Sequence, residues 1–289
     1  MDVESLKAFV AVAEARSFSK AADALFLTQP AISKRIAKLE NDLDTLLFDR
    51  IGRQIQMTEA GRALLTHAHR IFTDITQAER AVRAVSTEVS GQLRIATSHH
   101  IGLHHLPPIL KAFADRYPGV RLQIEFTDSE KAHDEVLHGN LEVAVITMAL
   151  QEDPHIVASL MRRDPLSFMV SNNHPLAADK EIELSELSAH SCILPGLDTY
   201  TGQIVNQLFT EQKLSLDASM ATNYLETVKM LTSVGMGWTV LPKTMLDSSL
   251  KELKITGVQL ERLLGYIVHR DHQLSPAAKA FISLLDQTN

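Results

Sequence analysis

Apolar residues return at helical spacing twice within the first forty positions. Phe18, Ala22 and Leu25 fall at i, i+4, i+7, and Ile32, Ile36 and Leu39 repeat the stripe. Phe26 and Leu27 break the period between them. Ser17 or Ser19 can cap the first helix and Thr28 the second. Pro30 then falls in a first helical turn, where a missing N–H costs little. Ala21 and Ala22 are small enough for a second helix to cross closely. The pattern predicts a helix-turn-helix, followed over residues 46–57 by two short strands and a turn at Ile51-Gly52-Arg53.

After Thr58, a further N-cap, the period becomes a heptad. Leu64, Ala68, Ile71, Ile75, Ala78, Val82, Val85 and Val89 are spaced alternately by four and three. A lone amphipathic helix drifts at 3.6 residues per turn, whereas a strict 3.5 repeat wants a partner helix. Residues 58–88 would span roughly 45 Å as one helix, and the seam is expected to join two copies of the chain. The alternative is a long helix buried against its own chain.

Beyond Ser90-Gly91, strands and helices alternate. Strands are expected at 93–97, 120–126, 141–147, 166–170, 191–194, 238–241 and 266–269. Helices are expected at 103–117, 129–138, 202–212, 225–233 and 275–285, with Pro107 and Pro108 disturbing the first. This alternation predicts a parallel α/β sheet.

The helix at Thr28 presents Pro30, Ser33, Lys34 and Ala37 opposite its apolar stripe, with Gln29 and Lys38 at the edges. That face carries no large apolar side chain and suits a major groove. Gln29, Ser33 and Lys34 suit base edges, and Lys38 or Arg35 suits phosphates. The alternative is a solvated helical hairpin.

Bulk composition sets bounds. A chain of 289 residues suits two or three domains. No 18-residue apolar run argues a transmembrane helix, and the acidic start Met1-Asp2-Val3-Glu4 does not read as a signal peptide. The single Cys192 excludes an intrachain disulfide and is expected to be a buried, inert thiol. A cytoplasmic protein is expected, with no membrane partner. The net charge of −7 is unlike a general basic DNA-binding field. Residues 1–89 carry 12 cationic and 12 acidic groups, so the whole deficit lies in the last 200 residues. Binding to DNA would therefore need cations placed on one face and several contacts made by an oligomer.

Residues 1 to about 60 resemble the N-terminal winged helix-turn-helix of LysR-type transcriptional regulators. The matching run is Leu6-x-x-Phe9, Ser17-Phe18-Ser19-x-Ala21-Ala22-x-x-Leu25, Thr28-Gln29-Pro30-Ala31-Ile32-Ser33 and Ile36-x-x-Leu39-Glu40. It continues through Leu47-Phe48-x-Arg50 and Thr58-x-Ala60-Gly61. Arg35 stands where the family most often has Gln. Further matches are Leu106-Pro107-Pro108, Arg116-Tyr117-Pro118 and Gly235-Met236-Gly237 before Leu241-Pro242.

The resemblance implies a multidomain chain. A winged helix-turn-helix (1–58), otherwise all-α, and a dimerisation helix (59–89) precede an α/β effector domain (90–289), similar to periplasmic solute-binding proteins. The effector domain would form two Rossmann-like subdomains, 90–161 with 270–289 and 162–269. The implied DNA contacts are Ser19, Thr28, Gln29, Pro30, Ser33, Lys34, Arg35 and Lys38, with Arg50 and Arg53 from the wing. Implied partners are double-stranded DNA, further copies as a homodimer and then a homotetramer, and RNA polymerase. No cofactor and no enzymatic activity are implied, only a small-molecule effector.

In open α/β sheets, ligands sit beyond the carboxyl ends of strands, near helix starts. That rule singles out Ser98, His99, His100, Ser129, Thr147, Thr201 and Tyr224 as effector contacts. Their hydroxyls suit a small polar or anionic metabolite. His99 or His100, if cationic, would bind an anion less tightly as pH rises. His100 and His104 share a face at i, i+4, a spacing that can bind zinc. No Cys or carboxylate stands nearby in sequence and no H-E-x-x-H occurs, so no metal site is expected.

Two other functions are open to this chain. A solute receptor would use the same α/β cleft but has no use for the first 89 residues. An α/β enzyme is disfavoured, because no G-x-S-x-G, P-loop or Rossmann glycine fingerprint occurs.

Overall fold

The computed structural model describes residues 1–51, 54–83, 89–178 and 181–287. The chain divides into two compact units, 1–79 and 80–289.

In the first unit, α1 (Val3–Ala15) is capped by Asp2, whose carboxylate accepts from the Ser5 N–H at 2.8 Å. α2 (Phe18–Ala24) begins at Ser17, which accepts from the Lys20 N–H at 3.3 Å, so Ser17 and not Ser19 is the cap. α3 (Gln29–Leu43) begins at Thr28, which accepts from the Ala31 N–H at 3.4 Å. The turn between α2 and α3 puts Phe26 in the left-handed region at φ 54°, with its side chain 95% exposed. Ile32, Ile36 and Leu39 are buried with Leu6, Phe9, Phe18 and Ala22 in one core, as their spacing requires.

The Glu40 carboxylate accepts from the Leu47 and Phe48 N–H groups at 2.8 and 3.3 Å, tying α3 to the next element. β1 (Phe48–Ile51) pairs antiparallel with β2 (Gln54–Met57), the two short strands expected over 46–57. The Thr58 hydroxyl donates to the Leu46 carbonyl and accepts from the Gly61 N–H, opening α4 (Glu59–Arg83). A Cβ on Gly61 would stand 2.3 Å from the Leu47 carbonyl oxygen, which explains a glycine there.

The second unit is a mixed sheet, not the all-parallel one expected. β3 (Gly91–Thr97) pairs parallel with β4 (Val120–Phe126) and β5 (Val143–Thr147). α5 (His99–His104), α6 (Pro107–Arg116) and α7 (Ser129–Leu137) connect them. One helix had been expected across 103–117. The structure has two, because Pro107 and Pro108 occupy the first turn of a fresh helix.

β6 (Ile156–Ser171) is a single 16-residue strand. It leads to α8 (Leu184–Leu187), β7 (Cys192–Leu194), α9 (Tyr200–Glu211) and β8 (Ala218–Ala221). α10 (Leu225–Ser233), β9 (Thr239–Pro242), β10 (Leu250–Leu253), β11 (Leu260–His269) and α11 (Pro276–Gln287) follow. The strand order is β10-β6-β11-β5-β3-β4, with β9 also on β6 and β7 pairing β8 apart. β6 and β11 run antiparallel side by side from Ile156↔His269 to Leu166↔Leu260. The expected crossing near residues 161–165 therefore lies inside β6, and that near 266–270 falls at the end of β11.

Two lobes share these strands. In the first, Val143 and Val145 face α6 and α11, while Ala144 and Ile146 face α7, the period-2 alternation of a sheet covered on both sides. The second lobe packs around Trp238, Phe168, Phe209 and Leu194. The Trp238 indole N–H donates to the Leu187 and His190 carbonyls at 3.0 and 2.9 Å.

Candidate nucleic-acid interface and ligand cleft

α3 presents Gln29, Pro30, Lys34, Ala37 and Lys38 to solvent, with Thr28 at its start and Ser33 half-buried. Gln29 Nε2 donates to Ser33 Oγ at 2.9 Å, so these two side chains are pre-set on one face. Lys34 makes no ion pair among the described residues, which leaves its charge for a ligand. Ser19 is exposed on α2. Arg35 and Lys38 each meet an acidic partner within the unit. Arg35 pairs with Glu4 at 3.0 Å and Lys38 with Asp2 at 2.6 Å, because the start of α1 lies beside α3. The Lys38 hydrogen bond and the capping bond from Ser5 hold the Asp2 carboxyl well below its usual range. Gly52 and Arg53 lie outside the described residues, as does the Arg50 side chain.

The heptad of α4 divides. Ala68 is fully buried in the core of its own unit, with Leu64 and Ile71 packed against that core. Ala68 is therefore no part of an open seam, because the first three turns of α4 close the helix-turn-helix core. Further along, Ile75, Ala78 and Val82 are exposed, Val82 to 75%. Val85 lies outside the described residues.

A cleft of about 100 Å³, open to solvent, lies between the two lobes of the second unit. All seven effector contacts named from the sequence line it: Ser98, His99, His100, Ser129, Thr147, Thr201 and Tyr224. The seven come together because β3, β5 and α7 open on one edge, facing the starts of α9 and α10. Ser129 Oγ accepts from the Thr147 N–H at 3.2 Å. The His99 ring meets Phe126 and Tyr224 edge-on, with centroids 5.8 and 5.3 Å apart.

Three charged residues that sequence reasoning missed, Arg262, Glu130 and Glu226, stand in or beside the cleft. Arg262, on β11, is 4% exposed; its Nε donates to Asp164 Oδ2 at 2.8 Å and its Nη1 reaches Thr201 Oγ1 at 3.4 Å. Its Nη2 is buried with no hydrogen-bond partner. Glu130 accepts from the Tyr200 N–H at the start of α9, and burial raises its carboxyl above the usual range. Asn223 Nδ2 donates to Asp128 Oδ2 at 3.0 Å. Glu226, in the first turn of α10, takes His100 Nδ1 at 3.4 Å and His104 Nε2 at 3.1 Å on one oxygen. These last three contacts cross from one lobe to the other.

Burial pushes the His100 imidazole down to about 4, helped by the nearby Arg262 charge. The ring is neutral at pH 7, which corrects the expectation that His100 offers an anion a titrating cation; Arg262 is the fixed one. Burial also pushes the Cys192 thiol up to about 12, which makes it inert.

The sequence matches two family models. Residues 3–62 match the bacterial regulatory helix-turn-helix protein, lysR family, and residues 86–289 match the LysR substrate binding domain. The chain belongs to the LysR family of transcriptional regulators. Among LysR relatives, the RuBisCO operon transcriptional regulator of Allochromatium vinosum is 27% identical over 97% of this chain and 94% of its own. An HTH-type transcriptional regulator from the ibpB-leuC intergenic region of Azotobacter vinelandii is 58% identical, over 37% of this chain and 75% of that one. Full-length CbnR complexed with its target DNA has the same fold, with a TM-score of 0.66, 22% identity and full coverage of both chains. The effector binding domain of QuiR in complex with shikimate matches at a TM-score of 0.61 and 20% identity, over 68% of this chain and 95% of that one.

Membership in the LysR family gives the first unit its role as a DNA-binding module and the second its role as an effector-binding domain. It also sets aside the free-standing solute receptor. No helix among the described residues is long and apolar enough to cross a membrane. Of the missed residues, Arg262 alone left a signal in the sequence: a cation inside the apolar run Leu260–His269. Nothing in sequence could have joined Glu226 to His100, which stands 126 positions earlier.

Proposed function

We propose that this regulator senses a small anionic metabolite in the cleft between its lobes and reads DNA with the α3 face of Gln29, Pro30, Ser33 and Lys34. The buried Arg262 carries the reading of the ligand. An Nη2 with no partner in a polar, buried site is costly unless something accepts from it. A carboxylate or phosphate placed there would also reach the hydroxyls of Thr201, Ser129 and Thr147. The QuiR domain, with its shikimate, supports a metabolite of this size in the same fold.

Ligand binding would replace the lobe-to-lobe contacts at Tyr200 and Asn223 and so change the angle between lobes. A ligand shifts that equilibrium only by its difference in affinity for the two arrangements. The exposed Ile75, Ala78 and Val82 stripe would be covered by a second copy of α4, placing two reading heads on a pseudo-palindromic site. Two dimers would assemble into a tetramer in the cytoplasm, acting on transcription through RNA polymerase.

A thermal-shift screen of small carboxylates and phosphates, followed by a gel shift on DNA flanking the gene's own promoter, tests this. A ligand of the folded state must raise the melting temperature, and the same compound should change the gel-shift pattern. A protein with no preference for promoter DNA over random DNA at moderate salt would refute the DNA reading. Stabilisation only by cationic or apolar compounds would refute the anion reading.

A further inference from the structure

At the mouth of the cleft, His100 and His104 on α5 meet Glu226 on α10, with donor atoms all within 4.8 Å of one another. We propose that these three side chains form a binding site for a divalent transition-metal ion of the zinc class, joining the two lobes. Two imidazoles and one carboxylate are a ligand set that zinc accepts with a fourth position left open. The imidazole rings stand 4.6 Å apart, one helical turn from each other, and both nitrogens converge on the same Glu226 oxygen.

The cluster is incompletely satisfied as it stands. Glu226 Oε2 and His100 Nε2 are both buried without a hydrogen-bond partner. His100 is 4% exposed, and a metal is held by the neutral imidazole. Arg262 is the nearby charge that opposes a cation here, and Asp164 is already paired with it at 2.8 Å. With a metal on Nδ1, the His100 tautomer is fixed and its Nε2 carries the proton. That N–H belongs to a ring lining the cleft, so it becomes a donor for a bound anion.

A second group, His155, His269 and Asp271, also brings donor atoms within 4.8 Å. It is the weaker candidate. His155 and Asp271 are exposed, and His269 Nδ1 already accepts from the Asp271 N–H at 3.1 Å.

Any effect of the metal on effector affinity rests on the cleft reading above, but metal binding itself does not. The test is therefore made without DNA or effector. Full-length protein, treated with chelator and dialysed, competes with a chromophoric indicator for zinc, and cobalt(II) is added separately for its d–d absorption. One zinc per chain is expected to bind at micromolar concentration or tighter. His104→Ala and Glu226→Gln should each weaken it at least about tenfold and erase the cobalt band, while His269→Ala leaves both unchanged. His104 is half-exposed, and melting curves of both variants check that they fold. The proposal is overturned by no wild-type binding at micromolar zinc, by undiminished affinity in His104→Ala and Glu226→Gln, or by loss in His269→Ala alone.

Discussion

Replacing Arg262 with methionine should destabilise the effector-binding unit by roughly 3–5 kcal/mol. Arg262 and Asp164 are 4% and 2% exposed, and Nε donates to Oδ2 at 2.8 Å. At an effective dielectric of 20, two charges about 4 Å apart attract by roughly 4 kcal/mol. Burial of both ions offsets most of that in the native protein, so the pair adds little net stability. Removing only the guanidinium deletes the attraction and leaves the Asp164 carboxylate buried and unpaired. The double variant Arg262→Met with Asp164→Leu removes both desolvation costs and should recover within about 1–2 kcal/mol of the native protein. Trp238 makes the measurement specific. It is the single tryptophan of the chain and is fully buried in the second lobe, so its fluorescence follows this unit's unfolding in denaturant. A single variant within about 1 kcal/mol of wild type, or a double variant no more stable than the single, would refute the account of an uncompensated buried charge.

Three further outcomes are expected. Ser33→Ala and Lys34→Ala should each weaken specific DNA binding by about 1–3 kcal/mol if the side chain meets a base edge; full affinity in both, by gel shift, means another face reads DNA. Placing a glutamate at Val82 or Ile75 should raise the dimer dissociation constant at least about tenfold, read by sedimentation; an unchanged constant rules out the α4 stripe as the seam. The folded His100 pKa of about 4 lies below the ordinary 6.5, so between these values the unfolded chain binds more protons. Its contribution to stability is complete above pH 6.5 and declines as pH falls towards 4. The unfolding midpoint, followed at Trp238 in chelator, should drop over that window and drop less in His100→Asn; parallel pH profiles for the two proteins would contradict this.

Local patterns carried most of the first unit. Phe18, Ala22 and the stripe Ile32–Ile36–Leu39 are buried with Leu25 packed half-buried against them, and Thr28 and Thr58 cap the helices assigned to them. The same holds for the cleft hydroxyls, since a helix start after a strand end is a local signal. The heptad did not separate partner from own core: a 3.5 repeat reports an apolar seam, and Ala68 spends its side chain on its own core.

What the sequence determined alone is therefore what depends on neighbours a few positions apart: helix stripes, caps, strand alternation and the family motifs built from them. The tertiary structure decided which distant groups meet. β6 and β11 pair antiparallel across nearly a hundred residues and thereby set Arg262 against Asp164. The approach of the two lobes brings Glu226 to His100 and His104, and Glu130 to the start of α9. The physical reason is range. Hydrogen-bonding and packing demands within one helix or strand repeat along the chain and can be counted. A charge buried in a cleft is matched by a partner whose position in sequence is set only by how the chain crosses itself.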